Sequence, residues 1–394
     1  MTIQRAARVD RLRPSATVGV TTRAMALEAE GRDIIRLSVG EPDFDTPDHI
    51  KAAAIAAIEA GMTKYTALDG TRALKAAIQR KFERENGLKY GLDQILVSNG
   101  AKQSCFNLCL AVLDDGDEAI IPAPYWVSYP EMVRMADAEP VFVHTTTESG
   151  FLMRPEELEA AITPATRLLI LCSPSNPTGA VYRRGALEAL GEVLAEHPKI
   201  VVMSDEIYEH IQWAVDPYPS FAEVCPKLYD RTVTINGVSK AYAMTGWRLG
   251  YAAGPRELIR ALAALQSQST TNACSISQAA AAAALDGDQS SVREMCAQFK
   301  ARHDVVQPLI DAIDGIHCPP GDGAFYLLPD VREALKRMGF NDDIAFCEAL
   351  LEETGVALVP GSAFGAPGYV RISFAASLGT MREAIARIEG FVTD

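Results

Sequence analysis

One lysine, Lys240, follows an apolar, β-branched run and lies among small and apolar neighbours. The run covers residues 232–235 and ends at the turn Asn236-Gly237, and Arg248 comes eight residues after the lysine. A strand ending in such a turn commonly presents side chains to a crevice of an open α/β sheet. An amine held there has a depressed pKa and forms Schiff bases. A single lysine is more often a solvated surface residue, so this chemistry requires partners elsewhere in the chain.

Two earlier motifs offer an anion site and an aromatic face. Ser98-Asn99-Gly100 separates a predicted strand from a predicted helix, and the N–H groups at a helix start can hold a phosphate. Trp126 follows the next predicted strand and has a face that can stack on a planar ring. Each motif also has an ordinary interpretation, as a routine turn and as a packing residue.

Two further strand ends supply an amide, a carboxylate and a phenol. Asn176 lies between two prolines that stiffen its loop, and Asp205 precedes Tyr208 by three residues. The ordinary role of such an aspartate is to cap a helix. The order of the motifs along the chain favours a functional role over these ordinary roles, because successive strand ends meet at one sheet edge. With Lys240 they are the groups that pyridoxal phosphate needs: a phosphate cradle, a ring stack, a partner for the 3-oxygen, a counter-ion for the ring nitrogen and an amine.

The sequence predicts that the strands and helices that position these residues form an α/β core. Short apolar runs alternate with helical stretches between residues 94 and 254, which favours a parallel sheet with crossover helices. The chain then becomes mainly helical, with three later strand-like runs. We predict a large domain with a mostly parallel sheet and helices on both faces, over residues 48–287, and a smaller α+β domain over 288–394. Residues 1–47 are predicted to form an irregular basic arm and part of the small domain.

Composition narrows the possible partners. The 394 residues carry a formal charge of −14, which disfavours binding to nucleic acid or an anionic membrane. The eight cysteines and six histidines show no zinc-like spacing, so no metal site is predicted. No apolar run reaches the length of a membrane span. These features predict a cytoplasmic protein that acts on small molecules.

Together the motifs resemble those of class I aminotransferases of fold type I, in particular the bacterial branch of aspartate and prephenate aminotransferases. The resemblance extends from Ser15 to beyond Arg371, nearly the whole chain. It is specific for the superfamily and much less so for the substrate. The motifs that carry it are Ser38-Val39-Gly40-Glu41-Pro42-Asp43-Phe44, Pro124-Tyr125-Trp126, Ser175-Asn176-Pro177-Thr178-Gly179, Ser204-Asp205-Glu206-Ile207-Tyr208, Ser239-Lys240 and Thr245-Gly246-Trp247-Arg248.

The resemblance implies roles around a pyridoxal 5'-phosphate cofactor. By this resemblance Lys240 holds the cofactor as a Schiff base, and Asp205 keeps the ring nitrogen protonated. Tyr208 and Asn176 contact the 3-oxygen, and Trp126 stacks on the ring. The residues implied around the phosphate are Gly100, Ala101, Lys102, Ser239 and Arg248.

A substrate site is implied in the same way. Arg371 matches the arginine that binds the substrate α-carboxylate through two hydrogen bonds, helped by Asn176 and the backbone of Gly40. Trp126 is assigned to this site as well as to the cofactor. Arg13 aligns with an arm residue that contacts the distal carboxylate in this branch. A solvated basic arm is the alternative for Arg13.

The function implied is an aminotransferase, of the aspartate transaminase type, with ping-pong kinetics. Lys240, Asp205 and Tyr208 are the catalytic residues, and aspartate with 2-oxoglutarate is the first choice of substrates. Tyr65 matches a residue that reaches the cofactor phosphate of the neighbouring subunit, which predicts a homodimer with shared active sites. Prephenate, aromatic or broad-range transamination remain alternatives, as does C–S β-elimination on the same fold. A cofactor-binding regulator is disfavoured, because the residues before Phe44 are too few and too irregular for a helix-turn-helix domain.

Overall fold

The computed structural model describes residues 5–12 and 16–393 of the chain. The strands in these residues are β1 (Ile35–Arg36), β2 (Ile95–Ser98), β3 (Glu118–Ala123), β4 (Glu139–His144), β5 (Thr166–Cys172), β6 (Val201–Asp205), β7 (Thr232–Gly237), β8 (Gly250–Ala253), β9 (Tyr326–Leu327), β10 (Val356–Ala357), β11 (Val359–Pro360) and β12 (Val370–Ser373). The helices are α1 (Ala7–Asp10), α2 (Ala16–Ala29), α3 (Asp48–Glu59), α4 (Arg72–Asn86), α5 (Ala101–Val112), α6 (Ser128–Met135), α7 (Pro155–Ala161), α8 (Arg184–Ala195), α9 (Phe221–Val224), α10 (Arg256–Ser267), α11 (Ser275–Asp286), α12 (Ser290–Asp311), α13 (Arg332–Met338), α14 (Asp343–Thr354) and α15 (Leu378–Thr393).

A seven-stranded sheet forms the centre of the molecule, in the order β2-β8-β7-β6-β5-β3-β4. Neighbouring strands are parallel except on either side of β8, which runs antiparallel to both β2 and β7. Four of the strands, including β2 and β7, are buried along their whole length or nearly so, as expected for a sheet covered on both faces. The α/β fold class predicted from the sequence is confirmed.

Strand β8 is the element of this sheet that sequence analysis missed. Its four residues are Gly-Tyr-Ala-Ala, and such small residues carry little strand preference of their own. Its position comes from pairing, since Gly250 lies opposite both Ser98 and Gly237. Because β2 and β7 each run antiparallel to β8, they point the same way as the other strands. The carboxyl ends of β2, β3, β5, β6 and β7 therefore meet at one edge.

Helices pack on both faces of the sheet. One face carries α5, α6 and α10, whose apolar side chains join the core residues Leu96, Ile121 and Leu168. The opposite face carries α7 and α8 against Leu169 and Val202. Helices α3, α4 and α11 form a third apolar cluster beside β2 and β8. These helices hold the strand ends at fixed positions around the crevice.

A second group of elements covers the carboxyl edge. Strands β11, β12 and β9 form an antiparallel sheet, and β1 pairs in parallel with β10. The core of this group includes Ile35 and Leu37 beside side chains of helices α12, α14 and α15. Residues before the large sheet thus pack with residues from the end of the chain. Within the described residues, none of the helices combines the length and the apolarity needed to span a membrane.

The arm differs from the prediction of an irregular segment. Residues Ala16–Ala29 form helix α2, and its buried residues Ala24 and Leu27 pack against Leu351 and Ala357. The helix was missed because its sequence has almost no amphipathic periodicity, and small residues such as Ala24 can be buried without one. Tertiary contact with the C-terminal elements therefore selects the helix.

Candidate active site

A cavity of about 410 Å³ opens at the carboxyl edge of the large sheet, between it and the second group of elements. Among the described residues, its walls include the cations Lys102, Lys240, Arg248 and Arg371, against the acidic Glu41 and Asp205. The chain is strongly acidic overall, so this local excess of positive charge is built by the fold. A cavity with such a lining suits an anionic small molecule.

Asp205 lies at the floor of the cavity, at the carboxyl end of β6, and is almost fully buried. Its Oδ2 accepts a hydrogen bond from the Tyr129 hydroxyl at 2.7 Å, and its Oδ1 accepts one from the Ile207 N–H at 3.3 Å. Burial raises the pKa of Asp205, while these bonds and the charge of Lys240 act in the opposite direction. A buried carboxylate without a full counter-charge favours a ligand that brings a protonated nitrogen.

Lys240 comes from the turn after β7 and faces the same cavity. Its Nζ donates to the Gly40 carbonyl at 2.5 Å and lies 5.7 Å from the centre of the Tyr208 ring. Burial lowers the pKa of Lys240 from 10.5 to about 8, and the charges of Arg371 and Arg248 add to the shift. A larger fraction of the amine is therefore neutral, and nucleophilic, at physiological pH.

This lowered pKa predicts a pH dependence of stability in the cofactor-free protein. Between pH 8 and 10.5 the unfolded chain binds a proton that the folded chain has released, so stability should rise with pH. Relative to a Lys240→Met variant, the free energy of unfolding of the wild type should rise by about 3 kcal/mol across this range. Urea unfolding of both proteins at several pH values measures the difference, since the other titrations are common to both. A difference that stays constant with pH would contradict the burial of this amine.

The end of the cavity that could bind a phosphate is formed by the start of α5 and the loop after Lys240. Gly100 caps α5 with φ +83°, and a Cβ at this position would collide with the Arg248 guanidinium. Arg248 itself takes the left-handed conformation, φ 51°, which is uncommon for a side chain of this size. Ala101, Lys102 and Ser239 line the cavity here. A glycine cradle, helix-start N–H groups and two cations are a fitting donor set for a phosphate.

Arg371 is held rigidly on β12 and is almost fully buried. Its Nη1 donates to Asn176 Oδ1 at 3.0 Å and its Nη2 donates to the Ser38 carbonyl at 2.6 Å. Its Nε is buried with no hydrogen-bond partner in the described residues. Burial lowers the pKa of Arg371, although a guanidinium stays charged in proteins. An unpaired buried donor on a fixed cation is what a carboxylate ligand would satisfy.

A buried ionic network supports the turn that carries Lys240. Glu209 accepts hydrogen bonds from Lys81, from Asn86 Nδ2 at 2.7 Å and from Asn236 Nδ2 at 2.5 Å. Burial opposes ionisation of Glu209, but Lys81 and His210 outweigh it and keep the pKa of Glu209 below its ordinary value. Asn236 is thereby fixed at the end of β7, so the chain leaves the sheet in one defined direction.

The structure brings most of the predicted site residues together and leaves two apart. Tyr65 is 90% exposed and lies away from the cavity, and Arg13 lies outside the described residues. Gly100 does not line the cavity, but its backbone packs against the Arg248 guanidinium. The other predicted residues line the cavity: Gly40, Ala101, Lys102, Trp126, Asn176, Asp205, Tyr208, Ser239, Lys240, Arg248 and Arg371.

Sequence reasoning missed two aromatic residues of this cavity, Tyr129 and Tyr326. Tyr129 had a signal, because it belongs to the same aromatic-rich segment as Trp126, three residues earlier, and their rings meet edge to face at 5.2 Å. Tyr326 had no sequence signal for a role in the site, since its strand is an ordinary apolar run. Its place at the site depends on the pairing of β9 with β12.

The fold and the cavity together define an α/β protein whose site holds a buried lysine with a lowered pKa, a buried aspartate, a glycine packed against an arginine, and a second, buried arginine. Residues 32–388 match the family model of aminotransferase class I and II. The chain belongs to this family and is an aminotransferase, as the sequence motifs predicted. Family membership implies pyridoxal phosphate as the cofactor and amino acids with 2-oxo acids as substrates.

Individual relatives are similar over their whole length. The chain is 52% identical to an aspartate/prephenate aminotransferase of Nitrosomonas europaea, over 98% of this chain and 99% of the relative. The structure matches that of the aspartate aminotransferase of Rhizobium meliloti with a TM-score of 0.94 and 47% identity, over 99% of both chains. It also matches the Thermus thermophilus aspartate aminotransferase with maleate, with a TM-score of 0.92 and 43% identity, over 99% of this chain and 100% of that chain.

Proposed function

We propose that the protein binds pyridoxal 5'-phosphate in the cavity and transfers the amino group of L-aspartate to 2-oxoglutarate. The observation that carries the proposal is the distribution of charge in one cavity: a lysine with a lowered pKa, a buried carboxylate, and arginines at two separate walls. The relatives described above, which are aminotransferases of aspartate and prephenate, support aspartate as donor and prephenate as a second acceptor.

The residues present fit the cofactor. Arg248, Lys102 and the start of α5 at Gly100 form a cradle for its phosphate, which Ser239 borders. Asp205 offers a carboxylate to its ring nitrogen, and Trp126 forms a wall for its ring. Lys240 supplies the amine for its aldehyde. When bound, the cofactor supplies an electron sink that makes the substrate α-proton acidic.

Each side chain of the site then has a separate role in the reaction. Arg371 binds the substrate α-carboxylate, with Asn176 holding its Nη1 in place. Lys240 Nζ accepts the proton from the substrate α-carbon as a general base, a role that its lowered pKa favours. Tyr208 and the Asn176 amide offer donors to the 3-oxygen. Asp205, buried and hydrogen-bonded to Tyr129, keeps a negative charge beside the ring nitrogen.

A half-reaction panel tests this function. Purified protein loaded with pyridoxal phosphate should absorb visible light and lose that absorption with hydroxylamine. Single amino acids are then added and the loss of absorption is followed. Aspartate and glutamate should react fastest, and oxaloacetate should form from aspartate. Release of pyruvate and ammonia from cystathionine, without oxaloacetate from aspartate, would contradict transamination and favour β-elimination.

The same panel tests Arg13. If it contacts the distal carboxylate, Arg13→Ala should raise the KM for aspartate about tenfold or more, in line with a lost charged hydrogen bond. The KM for alanine, which lacks that carboxylate, is the internal control. Equal changes for both amino acids would assign Arg13 to a solvated arm.

We also propose a homodimer whose two active sites share residues. Tyr65 is 90% exposed, and the nearby Ile55, Ile58 and Met62 are 55%, 54% and 41% exposed. Such an apolar face on helix α3 and the loop after it fits a second copy of the chain. In this arrangement Tyr65 reaches the phosphate in the partner's cavity.

We also propose that the chain is divided into an arm with part of the small domain (residues 1–47), a large cofactor-binding domain (48–287) and a small C-terminal domain (288–394).

Complementation tests the shared sites. Tyr65→Ala and Lys240→Ala should each be inactive or weak, because each lacks one part of every site. When equal amounts are unfolded and refolded together, hybrids carry one site without either substitution, so activity should return to about a quarter of the wild type. Refolding each variant alone is the control. No gain in the mixture would contradict a site completed by the partner.

A further inference from the structure

We propose that Tyr326, which has no role in the function described above, is a positioning residue that couples the carboxylate-binding Arg371 to the hydroxyl of Tyr208. Its ring would hold the guanidinium in place, and its hydroxyl would orient that of Tyr208 towards the cofactor. The inference rests on the proposed function, because it concerns how the residues assigned there are aligned.

The rings of Tyr326 and Phe364 both contact the Arg371 guanidinium, and we call this pair of rings the aromatic clamp. The guanidinium carbon lies 4.5 Å from the centre of the Tyr326 ring and 5.0 Å from that of Phe364. Tyr326 is fully buried and stands opposite Ser373 in the antiparallel pairing of β9 with β12. Arg371, two residues from Ser373, is on the same face of that sheet. A desolvated cation in contact with two aromatic rings is strongly restrained.

The clamp leaves the edge of the guanidinium available. Of its five N–H donors, the two hydrogen bonds to Asn176 and the Ser38 carbonyl use one each, and Nε has no partner among the residues that the structure describes. Contact with aromatic rings uses none of the hydrogen-bond donors of the guanidinium. The two rings therefore restrain Arg371 while its remaining donors stay available for a carboxylate.

The hydroxyl of Tyr326 points to the other part of the site. It lies 3.0 Å from the Tyr208 hydroxyl, and a Cβ on Gly40 would be only 2.7 Å from it. The Gly40 carbonyl in turn accepts the hydrogen bond from Lys240. Tyr326 thus lies where the lysine, the backbone loop of Gly40 and Tyr208 converge, and glycine at position 40 permits this approach.

The ionised 3-oxygen of the proposed cofactor determines which of the two tyrosines donates the Tyr208–Tyr326 hydrogen bond. An ionised 3-oxygen has no proton to give, so Tyr208 must donate to it and accept from Tyr326. Accepting that bond makes the Tyr208 hydroxyl a stronger donor. The charged and titratable groups around Tyr208 from the packed elements are Tyr326, Cys172, Arg371, Lys240 and Asp205.

Two variants separate the two parts of Tyr326. Tyr326→Phe keeps the ring and removes the hydroxyl, so Tyr208 should donate a weaker hydrogen bond to the cofactor 3-oxygen. The group whose titration changes the visible absorption of the cofactor-loaded protein should then keep its proton to higher pH. We expect the midpoint of the pH titration of visible absorption to rise by about 0.5 to 1 unit. Tyr326→Leu removes the ring, and the affinity for maleate, a dicarboxylate with no amino group to react, should fall by about tenfold or more. Tyr326→Phe should bind maleate within about twofold of the wild type.

Tyr182→Phe is the matched control. Tyr182 is also buried, and its hydroxyl accepts a hydrogen bond from the Met153 N–H, but this residue does not line the cavity. Both Phe variants should lose a similar amount of thermal stability, and only Tyr326→Phe should shift the titration. A Tyr326→Phe midpoint equal to that of the wild type would overturn the inference, even if Tyr326→Leu fails to fold. A wild type that never gains visible absorption with pyridoxal phosphate would instead overturn the proposed function.

Discussion

Replacing Lys240 with alanine should lower the rate of the half-reaction with aspartate by at least about 10⁴-fold, because in the proposed function Lys240 is both the base and the amine that holds the cofactor. Lys240 Nζ donates to the Gly40 carbonyl and lies in a cavity with Tyr208 and Asp205. No second described lysine takes this position, since Lys102 Nζ lies over the Trp126 ring, 4.9 Å from its centre. Stopped-flow absorption after addition of aspartate measures the loss.

The loss should be chemical rather than structural. Removing a buried amine with a lowered pKa relieves a desolvation cost, so the cofactor-free variant should be at least as thermally stable as the wild type. A small primary amine added to the solution should restore part of the rate, because the alanine leaves room for it. Lys199→Ala, at an exposed position, controls for preparation. Near wild-type turnover of Lys240→Ala would exclude Lys240 as the base.

Replacing Asp205 with asparagine should lower kcat by about 10²- to 10³-fold with little change in the shape of the side chain, since in the proposed function the negative charge of Asp205 stabilises the reacting ring. The carboxylate is almost fully buried and accepts hydrogen bonds from Tyr129 and the Ile207 N–H. Asparagine keeps the size of the side chain but cannot act as a counter-ion. Steady-state kinetics with aspartate and 2-oxoglutarate, at saturating pyridoxal phosphate, measure the effect.

The next residue supplies a matched control. Glu206 is also a buried carboxylate at the end of β6, but its Oε1 accepts hydrogen bonds from Ser204, Ser220 and the Phe221 N–H, and it does not line the cavity. Burial raises the pKa of Glu206 to about 7. Glu206→Gln should therefore change stability more than kcat. Equal losses of kcat in Asp205→Asn and Glu206→Gln would show that the effect comes from the fold and not from the ring nitrogen.

Much of the α/β architecture was predictable because its elements are strongly patterned. The buried strands β5 and β6 contain continuous apolar runs and β7 begins with a β-branched one, and such runs separated by helical stretches favour a parallel sheet. Strand β8 and helix α2 were missed for the opposite reason. Their residues are small and weakly patterned, and partners distant in sequence stabilise them: Ser98 and Gly237 for β8, and Leu351 for α2.

The sequence by itself determined the family, the sheet and the chemical types at each strand end, because parallel strands bring consecutive loop motifs to one edge. Lys240, Asp205 and Asn176 were identifiable on this ground. Only the tertiary structure decided how their chemistry is tuned. The clamp of Tyr326 on Arg371, the bond from Tyr129 to Asp205 and the lowered pKa of Lys240 depend on burial and on contacts between distant segments, which no local pattern encodes.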